Sequence, residues 1–137
     1  MPAPPPSRAP FDDVPVNALL GLELRTSSPD GAVVAWSPRA EFAQEYGVIH
    51  GGLIATLADT AAVYALHPFL AEGERMTSIE FKINFLGPAL SDRGAVVARS
   101  SIVRRGHTVV VAQVDVSQGD QRVATGLFTY IIMAARA

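Results

Sequence analysis

The sequence predicts an α+β fold in which one long helix covers one face of a curved antiparallel sheet of five to six strands. Residues 49–66 are apolar on nearly every side, which is typical of a helix in the middle of a fold. The other segments look like short strands joined by hairpin-sized turns, and such short connections imply antiparallel pairing. There is no internal repeat, and 137 residues suit one domain with a sizeable core.

Composition excludes several function classes. The net charge is −2 and no basic stripe is visible, so we expect no nucleic-acid partner. No apolar run reaches the roughly 18 residues of a membrane span, so we expect no membrane partner. The absence of cysteine excludes disulfides and thiolate catalysis and is compatible with a cytoplasmic location. The three histidines, His50, His67 and His107, lack zinc-ligand spacing, so we expect no metal and no cofactor.

The first third of the chain contains several turn signals. Five prolines in residues 1–10 predict a disordered arm, and residues 11–137 then form the single folded domain. A short amphipathic helix is predicted over residues 11–20, with Gly21 as its stop. Residues 22–27 and 32–37 form two strands, because the Ser28-Pro29-Asp30-Gly31 segment between them is a strong turn signal.

The rest of the chain is a central helix followed by strands. Residues 39–47 form a polar connection, and the helix over residues 49–66 ends where Pro68 disfavours helical geometry at His67. Residues 79–85 alternate apolar and polar side chains, which predicts a strand. Three further strands follow, over residues 94–104, 107–117 and 122–133, with a hairpin turn at residues 118–120.

The central helix has two unusual properties. A helix that is apolar all round cannot be covered by one sheet face, so its far side favours self-association of the chain. Asp59 is also a carboxylate on a helix that we expect to be buried, and burial is costly unless that carboxylate is hydrogen-bonded, paired or used.

Three segments of the chain carry a resemblance to a known family: Gly47-Val48-Ile49-His50-Gly51-Gly52, then Thr56-Leu57-Ala58-Asp59, then Met76-Thr77-Ser78-Ile79. Over residues 19–133 the sequence resembles the hot-dog-fold thioesterases, in particular the PaaI-like (phenylacetic-acid-degradation) acyl-CoA thioesterases. The resemblance implies a sheet wrapped around the central helix and a homo-oligomer with active sites at the dimer interface. Dimers of dimers, that is homotetramers, are common in that family, and the implied substrate is an acyl-CoA.

The resemblance also implies roles for particular residues. Asp59 matches the catalytic acid, and Gly51 matches the glycine whose backbone N–H polarises the thioester carbonyl. Gln44 matches an amide residue of the same region, and Ser78 matches a hydroxyl that holds the attacking water in some members. Asp59 would work opposite Gly51 and Gln44 of the other subunit. Where some relatives carry a second hydroxyl, one helical turn after the acid, this chain has Val63.

The chemistry of thioester hydrolysis suits these residue types. An N–H at a helix start has no partner inside the helix and can stabilise an oxyanion, and glycine leaves it accessible. Asp59 can act as general base on water or as nucleophile. Burial would raise the pKa of the Asp59 carboxyl, whereas hydrogen bonds to the charged form would oppose that change.

Each of these residues also has a purely structural interpretation. Asp59 can be a structural aspartate bonded to Thr56, Thr60 or backbone, and Ser78 can be an ordinary strand residue. In the functional interpretation Gly52 contacts the substrate, but Gly51 and Gly52 can equally serve only to form a tight helix start. His50 can be structural or catalytic. The loop residue Gln44 can be an ordinary solvated residue. Arg104, Arg105 and His107 can also be solvated turn residues, or they can contact the coenzyme A phosphates.

Three hypotheses about function follow. The first is an acyl-CoA thioesterase acting on an aryl- or medium-chain acyl-CoA. The second is a non-catalytic hot-dog protein that binds an acyl-CoA. The third, a hot-dog dehydratase or hydratase, is disfavoured because the histidine-containing motifs of those relatives are missing from the sequence.

Overall fold

The computed structural model describes residues 8–134 and has the predicted α+β architecture. Its six strands form one antiparallel sheet in the order β1-β2-β4-β5-β6-β3. The strands are β1 (Leu22–Ser28), β2 (Gly31–Trp36), β3 (Arg75–Phe85), β4 (Val96–Arg105), β5 (Val109–Gln118) and β6 (Gln121–Met133). The long helix α2 (Gly51–Leu66) packs on one face of this sheet, mainly against β2, β4 and β5.

The side of α2 that faces the sheet forms the core. Ile54, Leu57, Ala58 and Ala61 are buried almost completely. A hydrogen bond also joins the two layers, because the buried Ser100 hydroxyl of β4 donates to the Ala61 carbonyl at 2.6 Å. Within residues 8–134, no helix is both long enough and apolar enough to cross a membrane.

The opposite side of α2 is only partly covered within one chain. Its residues recur at helical spacing and none of them is buried: Gly52, Ala55, Thr56, Asp59, Thr60 and Val63. We call these six residues the α2 stripe. Thr56 and Thr60 donate their hydroxyl hydrogens to helix carbonyls one turn back, at 3.0 and 2.8 Å. The far side of the helix therefore carries mostly small side chains and is only partly covered within one chain.

The first helix differs from its prediction. Residues 11–20 contain a 3-10 turn (Phe11–Asp13) and then a separate helix α1 (Pro15–Leu20). The break lies at Val14, which is extended because the ring of Pro15 disfavours helical geometry in the preceding residue. Gly21 ends α1 in the left-handed conformation, as predicted. Of the predicted arm at residues 1–10, residues 1–7 lie outside the described part of the chain.

Strand β3 occupies one edge of the sheet and is longer than predicted. It pairs with β6, and the register shifts between Ser78 and Glu80, so that Ile79 is an extra residue in a β-bulge. Several of its apolar side chains are exposed, among them Ile79, Phe81 and Phe85 at 54, 46 and 54%. The alternation that predicted this strand therefore corresponds to an uncovered apolar face.

Candidate active site

The start of helix α2 has a single unpaired amide. The Ile49 N–H donates to Ala89 O at 2.8 Å, and the His50 N–H donates to Phe42 O at 3.3 Å. The Gly52 N–H donates to Nδ1 of His50, which caps the helix, at 3.0 Å. Among residues 8–134, no hydrogen bond uses the N–H of Gly51. This N–H is therefore free to bind a ligand oxygen at the positive end of the helix.

A cavity of about 400 Å³ lies beside this amide, and we call it the Gly51 cavity. Gln44, Gly51 and Phe85 are among its lining residues. Gln44 is exposed, and its backbone N–H closes the loop by donating to Val48 O at 2.8 Å. A methyl group on Gly51 would lie 3.1 Å from Cζ of Phe85. Glycine at position 51 thus keeps this cavity open next to the free N–H.

The Asp59 carboxylate is half-buried on the α2 stripe, on the side of the helix for which the sequence predicted cover by self-association. Its Oδ1 accepts a hydrogen bond from the hydroxyl of Tyr130 on β6. The partners that the structural interpretation proposed, Thr56 and Thr60, instead bond helix carbonyls. Tyr130 is a site residue that sequence reasoning missed.

Tyr130 is held as a hydrogen-bond donor. Its side chain is 1% exposed. Burial raises the pKa of Tyr130 well above its ordinary value, and the hydrogen bond from its hydroxyl to Asp59 and the negative charge of that carboxylate add to the effect. The phenol therefore stays protonated across the physiological pH range.

Ser78 reaches the same region because of the β3 bulge. Strict alternation with Ile79 and Phe81 would turn Ser78 to the opposite face of the sheet. The bulge at Ile79 adds one residue, so that Ser78 lies directly opposite Tyr130 in the β3–β6 register. Residues opposite one another in an antiparallel pair share a face, and Ser78 therefore lies on the side of the sheet that faces Asp59.

A second cavity, of about 460 Å³, surrounds the carboxylate, and we call it the Asp59 cavity. Its walls include Asp59, Ser78 and Tyr130 together with the apolar side chains Val63, Leu70 and Met76. His67 also lines this cavity, and its ring packs at an angle of 50° against that of Tyr64, with the centroids 4.4 Å apart. Burial lowers the pKa of His67 from 6.5 to about 4, and the Arg8 charge adds to this effect. The imidazole is therefore neutral at pH 7.

The free amide and the carboxylate are separated along one helix. Gly51 and Asp59 are eight residues apart, which corresponds to about 12 Å at about 1.5 Å per residue. One thioester carbonyl needs both groups within about 3 Å, so the two cavities of one chain cannot serve the same carbonyl. The Gly51 amide and the Asp59 carboxylate of one chain are therefore too far apart to contact one small group.

The predicted coenzyme A contacts lie elsewhere. Arg104 and Arg105 end β4, and His107 follows in the turn to β5, with all three side chains exposed. Arg105 donates to Phe69 O at 3.0 Å, and none of the three lines the Gly51 cavity or the Asp59 cavity. Their role stays a prediction. Within residues 8–134 no group of three or more His, Asp or Glu side chains could hold a metal ion.

Comparisons with known proteins show the family of this chain. The family model described as "Thioesterase superfamily" matches residues 46–125. The medium/long-chain acyl-CoA thioesterase YigI of Salmonella typhimurium is 30% identical, over 87% of this chain and 86% of its own. A thioesterase family protein from Silicibacter pomeroyi has a TM-score of 0.83 and 27% identity, covering 91% of this chain and 93% of its own.

A further structural neighbour is the Escherichia coli PaaI protein of the phenylacetic acid degradation operon. Its TM-score is 0.82 at 22% identity, over 91% of this chain and 88% of its own, which shows a shared fold. Fold and site together define a hot-dog-fold thioester hydrolase. The chain belongs to the thioesterase superfamily, and the resemblance seen in the sequence is confirmed.

Proposed function

We propose that this protein is a homo-oligomeric acyl-CoA thioesterase that hydrolyses an aryl- or medium-chain acyl-CoA to the free acid and coenzyme A. The unpaired N–H of Gly51 is the observation that carries the proposal, because it lies on the same helix as a carboxylate that it cannot reach within its own chain. The Gly51 amide and Gln44 of one subunit would hold the thioester carbonyl. Asp59 of the other subunit would act on that carbonyl as general base or nucleophile.

The proposed reaction uses these groups in sequence. In the general-base version, Asp59 takes a proton from a water held beside Ser78, and the water oxygen bonds to the carbonyl carbon. Negative charge develops on the carbonyl oxygen, where the Gly51 N–H stabilises it. The C–S bond then breaks, and the proton passes to the departing coenzyme A thiolate. In the nucleophilic version, the Asp59 carboxylate attacks the carbonyl carbon and the C–S bond breaks, which gives a mixed anhydride and the coenzyme A thiolate. Water then hydrolyses the anhydride to the free acid and the Asp59 carboxylate, and the proton released protonates the thiolate.

The α2 stripe supports the pairing of the two subunits. When two α2 helices lie antiparallel about a two-fold axis near Ala55, residue 51 of one faces residue 59 of the other, because 55 is midway between them. Ala55 is small, and the Thr56 and Thr60 hydroxyls are already bonded, so two helices can approach closely there. This arrangement would bring each Gly51 cavity to the Asp59 of the partner.

The exposed edge strand supports the same dimer. β3 has a neighbour on one side only within residues 8–134, and its exposed Phe81 and Phe85 need a cover. Pairing of β3 with its symmetry mate would extend one sheet into the next. Whether two such dimers form the expected homotetramer stays a prediction, as does the cytoplasmic location.

The Asp59 cavity is the proposed site for the acyl group. Its volume of about 460 Å³ lies within the usual range of about 300–1,000 Å³ for small-molecule sites. Val63, Leu70 and Met76 give it apolar walls that suit a medium-length acyl chain or an aryl ring, and a relative named for medium/long-chain acyl-CoA supports this class. The coenzyme A phosphates would contact Arg104, Arg105 or His107.

Release of free thiol tests the proposal. Purified protein is incubated with a panel of aryl- and aliphatic acyl-CoAs, and a chromogenic disulfide reagent follows coenzyme A; the protein adds no background because it contains no cysteine. Asp59→Asn and Asp59→Ala are expected to lose turnover with the fold retained. Asp120→Asn, which changes an exposed turn carboxylate, is the control and is expected to keep it.

Two results would contradict the proposal. Retained turnover in both Asp59 variants would remove Asp59 from the mechanism. Binding of acyl-CoAs by calorimetry with no thiol release would replace the enzyme by a non-catalytic acyl-CoA-binding protein.

A further inference from the structure

The hydrogen bond between Tyr130 and Asp59 joins two polar groups that would otherwise each be costly to bury. Tyr130 stands in an apolar stretch of β6 next to the buried Phe128, and a phenol in such a place requires an acceptor. Its hydroxyl donates to Oδ1 of Asp59 and also lies 3.2 Å from the Asp59 carbonyl oxygen. The contact spans 71 residues of sequence and connects β6 to the uncovered side of α2.

The two carboxylate oxygens of Asp59 have different surroundings. Oδ1 is occupied by the Tyr130 hydroxyl, whereas Oδ2 has no hydrogen-bond partner among residues 8–134. A carboxylate with both oxygens free would rotate about its Cβ–Cγ bond. With Oδ1 bonded to Tyr130, Oδ2 is the carboxylate oxygen left to interact in the Asp59 cavity, which Ser78 also lines and where Ser78 lies opposite Tyr130 in the sheet.

We propose that Tyr130 is a positioning residue for the reaction, which binds Oδ1 of Asp59 so that Oδ2 faces the water or the thioester carbonyl. This inference rests on the proposed function. Tyr130 would not touch the reacting atoms; it acts through Asp59 by fixing the rotation of the carboxylate. Substrate binding should therefore depend little on Tyr130, and turnover should depend on it strongly.

The test is a kinetic comparison of Tyr130→Phe with a matched control. Tyr130→Phe removes the hydroxyl and keeps the ring; the expected result is a 10- to 100-fold loss of kcat with KM changed less than about threefold, a size typical of one hydrogen bond to a charged group. Tyr64→Phe makes the same deletion in another buried tyrosine, whose hydroxyl contacts Asn17, and should leave kcat unchanged. Rates are corrected for the folded fraction, so a merely structural loss would not appear in kcat.

The pH dependence of kcat/KM gives a second readout. Because the Tyr130 hydroxyl donates directly to the Asp59 carboxylate, the pH profile should change in Tyr130→Phe and not in Tyr64→Phe. The other titratable or charged groups around the Asp59 cavity are Arg8, His67, Glu74 and Arg75, which are the same in both variants. A common shift of both profiles would implicate those groups instead.

A stability cycle separates failure of this inference from failure of the proposed function. Unfolding free energies of Asp59→Asn, Tyr130→Phe and the double variant measure the coupling of the two side chains without any substrate. If the wild type hydrolyses acyl-CoA and Tyr130→Phe keeps the kcat and the pH profile of the wild type, the positioning role is overturned. Absence of turnover in the wild type, with coupling present, would overturn the proposed function, and the positioning role of Tyr130 in that reaction with it.

Discussion

The substitution Gly51→Ala should separate catalysis from stability. The added methyl would lie 3.1 Å from Cζ and 3.4 Å from both Cε atoms of Phe85. The Phe85 ring is 54% exposed and can move by the few tenths of an ångström that this contact requires. Alanine also gains about 0.5–1 kcal/mol over glycine in a helix. The free energy of unfolding should therefore stay within about 1 kcal/mol of the wild-type value.

Activity should respond quite differently. The methyl projects towards Phe85 into the Gly51 cavity and hinders approach to the Gly51 N–H, which has no hydrogen-bond partner among residues 8–134. Loss of one oxyanion donor lowers kcat by about 10²–10³-fold, or about 3–4 kcal/mol in the barrier, and we expect kcat/KM of Gly51→Ala to fall about 10²-fold. Thiol release from an acyl-CoA measures this ratio, and urea denaturation measures stability in the same sample.

Gly52→Ala is the neighbouring comparison. Its methyl would lie 3.1 Å from Nδ1 of His50 and would disturb the helix cap, so a loss of about 1 kcal/mol in stability and less than a tenfold loss in kcat/KM are expected. Wild-type kcat/KM in folded Gly51→Ala, or an equal loss in both variants, would refute the assignment of the Gly51 amide as the oxyanion donor.

Three further predictions concern stability and assembly. Because His67 has a lower pKa in the folded state, about 4, than its ordinary 6.5, folding stability should fall as pH drops from 6.5 towards 4. The shift corresponds to at most about 3–4 kcal/mol, which solvent screening of this half-buried ring reduces to about 1–2 kcal/mol. The free energy of unfolding, measured by urea denaturation at pH 7 and pH 4.5, should fall less between these pH values in His67→Gln than in the wild type. Equal falls in the two proteins would contradict this prediction. Gly126→Ala should cost at least about 2 kcal/mol in urea unfolding, since its methyl would clash with the Lys82 carbonyl oxygen in the β3–β6 ladder; a change below about 0.5 kcal/mol would show that the ladder adjusts. Phe81→Lys should convert the proposed dimer to a monomer in light scattering, because a charge on the edge strand opposes strand pairing, whereas a persistent dimer would exclude this edge as the interface.

Local signals predicted most of the secondary structure. The hairpins that join β1 to β2 and β5 to β6 were visible as turn sequences. Gly21 at the end of α1 and Gly119 in the turn between β5 and β6 both adopt the left-handed conformation that glycine favours. The long helix was visible because its apolar residues continue for four turns. Pairing of β3 with β6 was not predicted, because residues far apart in the chain decide it and no turn signal marks it.

The candidate site was predictable only in part. His50, Gly51 and Asp59 lie close together in the sequence, and the motif that contains them was found from the sequence. The bulge that turns Ser78 towards Asp59 shifts a strand by one residue and leaves no clear trace in a period-two pattern. Tyr130 lies within the strand predicted over residues 122–133 and was not singled out. Only the expectation that a buried phenol and a buried carboxylate both need a partner could have suggested the pair.

The most direct test of the central claim, a site shared by two subunits, is complementation between two defective variants. Asp59→Asn and Gly51→Ala chains are unfolded together, refolded as a mixture and assayed for thiol release. If each site combines Asp59 of one subunit with Gly51 of the other, half of the dimers are mixed and each mixed dimer has one intact site. The mixture should then recover about one quarter of wild-type activity. Activity no higher than the mean of the two separate variants would contradict the shared site.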